Sequence, residues 1–521
     1  MSSGAAAVAT RTNEALPGRL PRRISWVPFE QAAVQPEAIA LVEGEATWSY
    51  GRFAEAIRRT AACFDGLGVR PGDRVMIVGE NGIALVTLIM AASELDAWPV
   101  VVNARLTAAE SDAIREHCRP RRVFYTVATS PDARALGERD GAEPIAPDIV
   151  PGTCVGGLAE TEPEPLERSS ARQVGAMVYT SGTTGKPKGV MLSHRNLLYN
   201  AAVAKAIRRT MPADRMYIVL PISHIFGLAS VFLAGLMGGA RIRLVPRFDP
   251  QAMLDALAHD GITMAQGVPT MYAKLLEHIE ARGIVPRAPH VRFLSSGGGP
   301  LEPELKARVE RTFGVRLQNG YGLSEAAPVV ALTRLDDPNP KSSIGYPPPG
   351  VAVRLVDEAG RDVVPGTTGE LWTKGPNVML GYYKEPVLTR EVVTEDGWLK
   401  TGDLARAEAD GRLFIMGRKK ELIIRGGFNV HPEEVEAALN AHPAVSLSGV
   451  IGRANGTDED VIAFVEPRPG ARVTEDELAA HVAGRLAGYK RPSRFVIVEA
   501  LPATSSGKVM KARLRELARA L

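Results

Sequence analysis

The chain has 521 residues, 45% hydrophobic and 23% charged, and Lys+Arg 62 against Asp+Glu 59 leaves a net charge of +3. So even a balance supplies no basic field for nucleic acid or an anionic membrane surface, and the hydrophobic share excludes a disordered or fibrous chain. The length exceeds what one hydrophobic core supports, so at least two domains are expected.

Residues 1–25 are Ala- and Arg-rich, carry Glu14 and Pro17 and lack an apolar targeting stretch, so a disordered tail is expected there. A helix follows at Tyr50–Leu67, then a strand at Arg74–Gly79 (RVMIVG). The apolar run Ile83–Ala92 is too short to span a bilayer and soon meets Glu94 and Asp96. A strand at Ala97–Val102 and a helix at Thr107–Cys118 continue the alternation. Buried strands alternating with helices predict an α/β fold with largely parallel sheets. Cys63, Cys118 and Cys154 are too few and too widely spaced for a disulfide framework or a zinc site, which fits a reducing cytoplasm. The final residues Ala-Arg-Ala-Leu are no peroxisomal address, so a cytoplasmic location is expected.

A polar connection at 159–173 leads into a buried strand, Val174–Thr180. Immediately after it comes Tyr179–Gly189, Y-T-S-G-T-T-G-K-P-K-G. Three glycines, four hydroxyls (Thr180, Ser181, Thr183, Thr184) and the lysines Lys186 and Lys188 crowd this turn. Glycine lets backbone N–H groups approach an anion, while hydroxyls and ammoniums donate to phosphate oxygens. The spacing is not that of a Walker loop, because Pro187 follows Lys186 where Ser or Thr would stand.

This segment resembles the signature of the adenylate-forming superfamily: acyl-CoA synthetases, peptide-synthetase adenylation domains and luciferases. Further segments resemble the family in the same order. Asn319–Glu325 reads N-G-Y-G-L-S-E; the resemblance gives Tyr321 the adenine, Ser324 the α-phosphate and Glu325, with Thr184, the Mg²⁺. Ser324 stands where the family usually has Thr, which keeps the hydroxyl and loses a rotamer-fixing methyl. Thr401-Gly402-Asp403 resembles the family's T-G-D, whose carboxylate accepts both ribose hydroxyls, and Arg418 falls on an arginine that reaches ribose or phosphate. Lys420 falls on the hinge about which the small domain turns. Leu501–Lys508, L-P-A-T-S-S-G-K, places Lys508 where a lysine bridges the incoming carboxylate and the α-phosphate.

The resemblance implies a large N-terminal domain over 26–417, built of α/β subdomains plus a small β-barrel-like subdomain, and a small mobile α+β C-terminal domain over 418–521. The β-rich part is expected between about Ser343 and Met416, with strands at Val351–Asp357, Gly369–Thr373 and Arg412–Ile415. The last hundred residues open with a strand at Glu421–Arg425 and a helix at Pro432–Ala441, with Glu433, Glu434 and Glu436 in its first turns.

Among the family's branches, Arg425-Gly426-Gly427-Phe428 resembles the segment that lines the pantetheine tunnel during thiol transfer, and Lys490 joins it as a candidate contact for coenzyme A. The stretch Pro221–Gly227 (P-I-S-H-I-F-G) lacks the aspartate that peptide-synthetase domains use for an amino group. His224 falls on a gate between the carboxylate site and the CoA tunnel; a histidine beside Ile and Phe could otherwise be a satisfied core residue. The acyl pocket is expected among His224, Phe226, Val268, Met271, Gly297, Gly298, Gly322, Pro328 and Val329. Gly298 and Gly299 could equally serve adenine. Apolar and small residues suit a flat ring or a medium acyl chain, and Tyr321–Val329 resembles coumarate-type ligases. Arg292 could pair a second carboxylate, as in malonyl-type ligases. The expected activity is an ATP-dependent carboxylic acid–CoA ligase, acting through acyl-AMP and using Mg²⁺ and coenzyme A, on an aromatic or medium-chain acid. Loading of an acyl-carrier protein and a dicarboxylate substrate stand as alternatives. No nucleic acid partner is expected, and the state is a monomer or homodimer.

Overall fold

A computed structural model describes residues 18–145, 150–181, 187–339, 341–425, 428–455, 458–504 and 509–519. Two eight-stranded sheets form the body. In the first, the strands Leu317–Gly322, Phe293–Ser296, Met264–Gly267, Arg215–Ile218, Arg241–Leu244 and Ile39–Glu43 lie parallel in that order. Antiparallel edges, Val329–Leu332 and Ala46–Ser49, close its two sides. In the second, Val174–Ser181, Trp98–Asn103, Arg74–Gly79 and Arg122–Tyr125 are parallel, and Pro187–Ser193 pairs antiparallel with Val174–Ser181.

One continuous core joins the sheets. Val75, Ile77 and Val101 of the second sheet and Met216, Ile218 and Ile242 of the first belong to one apolar cluster, with helices between them. The helix Ile83–Glu94 is buried on every face down to Ser93. That explains its unbroken apolar sequence: it is an internal helix with no solvent side. The helix Tyr50–Gly66 starts where the Ser49 hydroxyl accepts from Arg52 N, and Thr107 with Glu110 forms a full capping box for Ala108–Cys118. Among the described residues, no helix is long and apolar enough to cross a membrane.

The β-rich stretch forms a four-stranded antiparallel sheet, Ala352–Val356, Thr368–Lys374, Leu399–Ala407 and Leu413–Arg418. It is interrupted by a helix, Pro386–Val392, and by the short strand Gly381–Tyr382, which leaves to pair with Pro187–Ser193. The sequence concealed both because Pro, Gly and charged residues there resemble turns. Arg418 ends the last strand of this sheet, and a short turn, Lys419–Glu421, follows. Beyond it, Ile423–Arg425 pairs with Phe428–Val430, and Val445–Asn455, Asp458–Pro467 and Arg494–Ile497 make a three-stranded sheet covered by helices. Ser446 Oγ donates to Glu277 Oε1 of the large body at 3.0 Å.

The expected tail is shorter than 25 residues. Ile24 and Ser25 are fully buried and Arg23 pairs with Asp96, because an apolar Ile beside a cation can dock on the core edge; residues 1–17 lie outside the described residues.

Candidate active site

The acid-site candidates lie past the carboxyl ends of the parallel strands, where open α/β sheets present ligand crevices, while Asp403 and Arg418 come from the antiparallel four-stranded sheet. Val174–Ser181 turns back as Pro187–Ser193, with Thr180 opposite Lys188 and Ser181 opposite Pro187. The Ser181 side chain and Gly182, Thr183, Thr184, Gly185 and Lys186 lie outside the described residues.

The Lys188 ammonium stands 5.4 Å over the ring of Tyr382. The Tyr382 hydroxyl in turn donates to Glu325 Oε1 at 2.6 Å. Burial and the Glu325 charge raise this phenol's pKa, so it stays a proton donor at neutral pH. The Glu325 carbonyl accepts from Met379 N at 2.9 Å, which fixes the backbone as well. Ser324 is buried at the start of the short turn Ser324–Ala326. Tyr382 is a residue that sequence reasoning missed. It lies 57 positions from Glu325, and only the pairing of Gly381–Tyr382 with Pro187–Ser193 brings the two together.

Asp403 collects the other nucleotide candidates. Tyr321 donates its hydroxyl to Asp403 Oδ2 at 2.5 Å, and Arg418 Nε lies 3.0 Å from Oδ1. Asp403 and Arg418 are direct partners across two antiparallel strands, so sheet register sets their meeting. Burial pulls the Arg418 guanidinium down, yet Asp403, Glu421, Tyr321 and Glu325 outweigh it and hold the pKa above its usual value. Burial, then the Asp403 charge, lifts Tyr321 well above a normal phenol. Lys420 sits beside this patch, its pKa lowered by burial and by Arg418.

One cavity joins the two sets of candidates. His224, Phe226, Gly297, Gly298, Tyr321, Gly322, Pro328 and Val329 all line it. Gly322 admits no side chain, since a Cβ would stand 2.1 Å from the Pro328 carbonyl oxygen. The wall at Val329 is held by its N–H on Asn200 Oδ1 at 2.9 Å and by its carbonyl on Asn377 Nδ2 at 3.0 Å. Val268 and Met271 do not line the cavity. Val268 backs Gly298, where a Cβ would lie 3.6 Å from Val268 Cγ1, and Met271 turns into the core on the helix Pro269–Arg282. Gly299 likewise abuts Pro269.

Arg292 does not serve the cavity. It pairs with Asp214 through two hydrogen bonds of 2.8 and 2.5 Å and caps the carbonyls of Arg208 and Arg209. Its strand position turns it toward the end of helix His194–Arg208, which removes the malonyl-type reading that rested on it. In the small domain, Arg425 Nη1 donates to the Arg491 carbonyl at 2.6 Å and Lys490 holds the Glu434 carboxylate at 2.6 and 2.7 Å. Gly426, Gly427 and Lys508 lie outside the described residues.

Comparison with known proteins agrees with this arrangement. The AMP-binding enzyme family matches residues 28–383, and the AMP-binding enzyme C-terminal domain matches 434–508. A feruloyl-CoA synthase of an Amycolatopsis species is 34% identical over 504 residues, covering 94% of this chain and 98% of the relative. An indoleacetate–CoA ligase of Aromatoleum aromaticum is 32% identical over 515 residues, covering 94% and 97%. ATP-bound MatB from Rhodopseudomonas palustris superposes with a TM-score of 0.83 at 30% identity, over 96% of this chain and 99% of that one. Its apo form, at 29% identity and the same coverage, gives 0.72. The chain belongs to the AMP-binding enzymes of the adenylate-forming superfamily and is an AMP-forming acid–CoA ligase.

Proposed function

We propose that this ligase activates an aromatic carboxylic acid, and that the residues gathered above carry its two half-reactions. The observation that carries the reading is the single cavity that adjoins Tyr321 at one wall and His224 and Val329 at others. A nucleotide and an acid placed there have their reactive groups side by side, the geometric requirement for in-line attack. The wall between the Gly297–Gly298 backbone and Pro328–Val329 is apolar and small, which suits a flat ring, and the named relatives act on feruloyl and indoleacetate groups. The cavity is narrow, about 70 Å³; the Phe226 ring packs on Gly297, 3.1 Å from where a Cβ would stand, so a bound ring requires Phe226 to move aside.

In the first step a carboxylate oxygen forms a bond to the α-phosphorus of ATP and the bond to pyrophosphate breaks. The Thr180–Lys188 turn holds the β- and γ-phosphates, Tyr321 faces the adenine, Asp403 accepts the ribose hydroxyls and Arg418 steadies them. Glu325 and Thr184 would hold Mg²⁺. Among the described residues no group of three or more metal-ligating side chains exists, which fits an ion bound chiefly through substrate phosphates and a carboxylate oxygen. That ion neutralises phosphate charge when bound. Lys508 stabilises the charge that grows on the α-phosphoryl oxygens.

In the second step the CoA thiolate attacks the acyl carbonyl and AMP departs. The small domain, residues 418–521, turns about Lys420 to exchange Lys508 for Gly426–Gly427, with Arg425 and Lys490 meeting CoA. Ile424 and Phe428, which flank the glycines, are 52% and 56% exposed, and the higher TM-score with the ATP-bound relative supports a chain held in the adenylate-forming arrangement. The enzyme works in the cytoplasm. Lys508→Ala is expected to reduce acyl-AMP formation by roughly 100-fold or more, while thioester formation from supplied acyl-AMP survives. Pyrophosphate release and CoA-thioester assays on the two half-reactions measure this, and an equal loss of both refutes the assignment.

A further inference from the structure

The floor of the acid cavity holds a cation that the reaction does not use. Arg208, the last residue of helix His194–Arg208, lines the cavity and is only 3% exposed. Its guanidinium reaches Ser230 twice, the carbonyl through Nη1 and the hydroxyl through Nη2 at 2.7 Å, and rests 5.7 Å from the Phe293 ring centre. No ion pair joins it to a carboxylate among the described residues. Burial alone acts on its pKa, drawing it down to about 10, so it remains charged at neutral pH. A buried arginine is normally paired, since a lone buried charge is strongly unfavourable.

Unmatched polar atoms stand at this floor and on the strand behind it. Gln266, Ser295 and Gln318 are register partners on three adjacent parallel strands, so their side chains share one face. The Ser295 hydroxyl, which lines the cavity, and both amide atoms of Gln266 are buried without a hydrogen-bond partner among the described residues. Gln318 is occupied by Thr333 at 2.7 Å. Along its strand, Ser295 lies two residues, about 7 Å, below Gly297. On the ligase reading, an acid whose carboxylate lies level with Gly297 would bring its far end to this polar floor. Buried donors left idle in a native protein point to a ligand that completes them.

We infer that Arg208 and Ser295 are specificity residues that bind an oxygen acceptor at the end of the acid remote from its reacting carboxyl group. The inference rests on the ligase reading and deepens it: the acid carries a second carboxylate, or a phenolic or methoxyl oxygen, and a plain hydrocarbon end is disfavoured. A carboxylate would neutralise Arg208; a neutral oxygen would take one of its hydrogen bonds, with the Ser295 hydroxyl as its second partner.

The test compares pyrophosphate release by the full chain with p-carboxycinnamate, p-hydroxycinnamate and the isosteric p-methylcinnamate. A hydrogen bond from a charged donor predicts kcat/KM higher by about 10- to 100-fold for at least one oxygenated acid. The carboxy and hydroxy arms tell charge pairing from neutral hydrogen bonding. Arg208→Met is expected to erase the preference through KM for the acid, with KM for ATP retained. Should that variant fail to fold, Ser295→Ala, a smaller change, is expected to narrow the same preference. Equal use of the methyl and oxygenated acids by the native enzyme, or a uniform loss with all three acids in a folded variant, overturns the inference while leaving the ligase intact. Absence of pyrophosphate release with every aromatic acid overturns the aryl-acid reading beneath it.

Discussion

Glu325 owes its orientation to a phenol that no local motif contains. Tyr382 donates to Oε1 at 2.6 Å. A carboxylate so held loses little freedom when a cation arrives, and partners of this kind typically govern metal affinity by ten- to a hundredfold. Tyr382→Phe removes the donor and keeps the ring beneath Lys188. The Mg²⁺ concentration for half-maximal pyrophosphate release is expected to rise about 10-fold, and direct titration of Mg²⁺ with a bound nucleotide is expected to weaken in parallel. An unaltered titration would mean that Tyr382 only packs. The Asp403 cluster is a similar case. Its two oxygens already hold Tyr321 and Arg418, so on the proposed reading the ribose hydroxyls would meet a carboxylate whose position is already set.

At the scale of elements, the turn Lys419–Glu421 is the narrow passage between the four-stranded sheet and the last hundred residues. Arg418 on its near side is tied to Asp403, whereas the hairpin on its far side leaves Ile424 and Phe428 exposed. On the proposed reading, rotation would be confined to the few backbone torsions of this turn, between a strand pinned to the four-stranded sheet and a hairpin whose Ile423 and Val430 are buried in the small domain. Proline at position 420 would fix one of those torsions. Lys420→Pro is expected to leave acyl-AMP formation within about threefold and to slow thioester formation at least tenfold, as gating steps of this kind do. Single-turnover assays of each half-reaction separate the two, and undiminished thioester formation would place the pivot elsewhere.

The whole molecule carries a pH signature where its two parts meet. Burial raises Glu433 to about 7, with Lys511 opposing the shift and Glu436 and Glu421 reinforcing it. On the large body, Glu302 is also raised to about 7, by burial and then by Glu436 across the interface. His431 and Gly417 lie against Glu433 as well, and Lys511 spans Glu421 and Glu436 at 3.2 and 3.0 Å. Both glutamates bind a proton in the folded state that the unfolded chain, at an ordinary 4.5, has released. Their contribution is thus complete below that value and is lost as pH rises through about 7. The melting temperature is expected to fall between about pH 5 and pH 8, and Glu433→Gln or Glu302→Gln should flatten the slope. Calorimetry across that range decides it; parallel slopes in native and variant proteins would exclude these groups.

Motifs made much of this legible in advance, because the chemistry of a nucleotide demands residue types at short spacings: hydroxyls and lysines in one turn, Y-G-L-S-E after a strand, T-G-D before the boundary. Apolar runs such as Arg74–Gly79 equally prescribed buried strands, since only a doubly covered sheet shelters them. The same logic expected Val268 and Met271 along the cavity, where the structure does not place them, and left Arg208 and Tyr382 unseen. Sequence spacing describes neighbours along the chain, whereas the cavity is bounded by helix ends and strands distant in sequence. Whether an arginine meets Asp214, as Arg292 does beside a strand, or stands charged in a cavity floor, as Arg208 does at a helix end, depends on sheet register and on which carboxylate lies within reach. The chain's own residues therefore determined the fold class, the nucleotide chemistry and the two-part organisation. Tertiary structure alone decided which side chains face the acid, because burial and pairing, the forces that set their charge and purpose, exist only once distant strands are side by side.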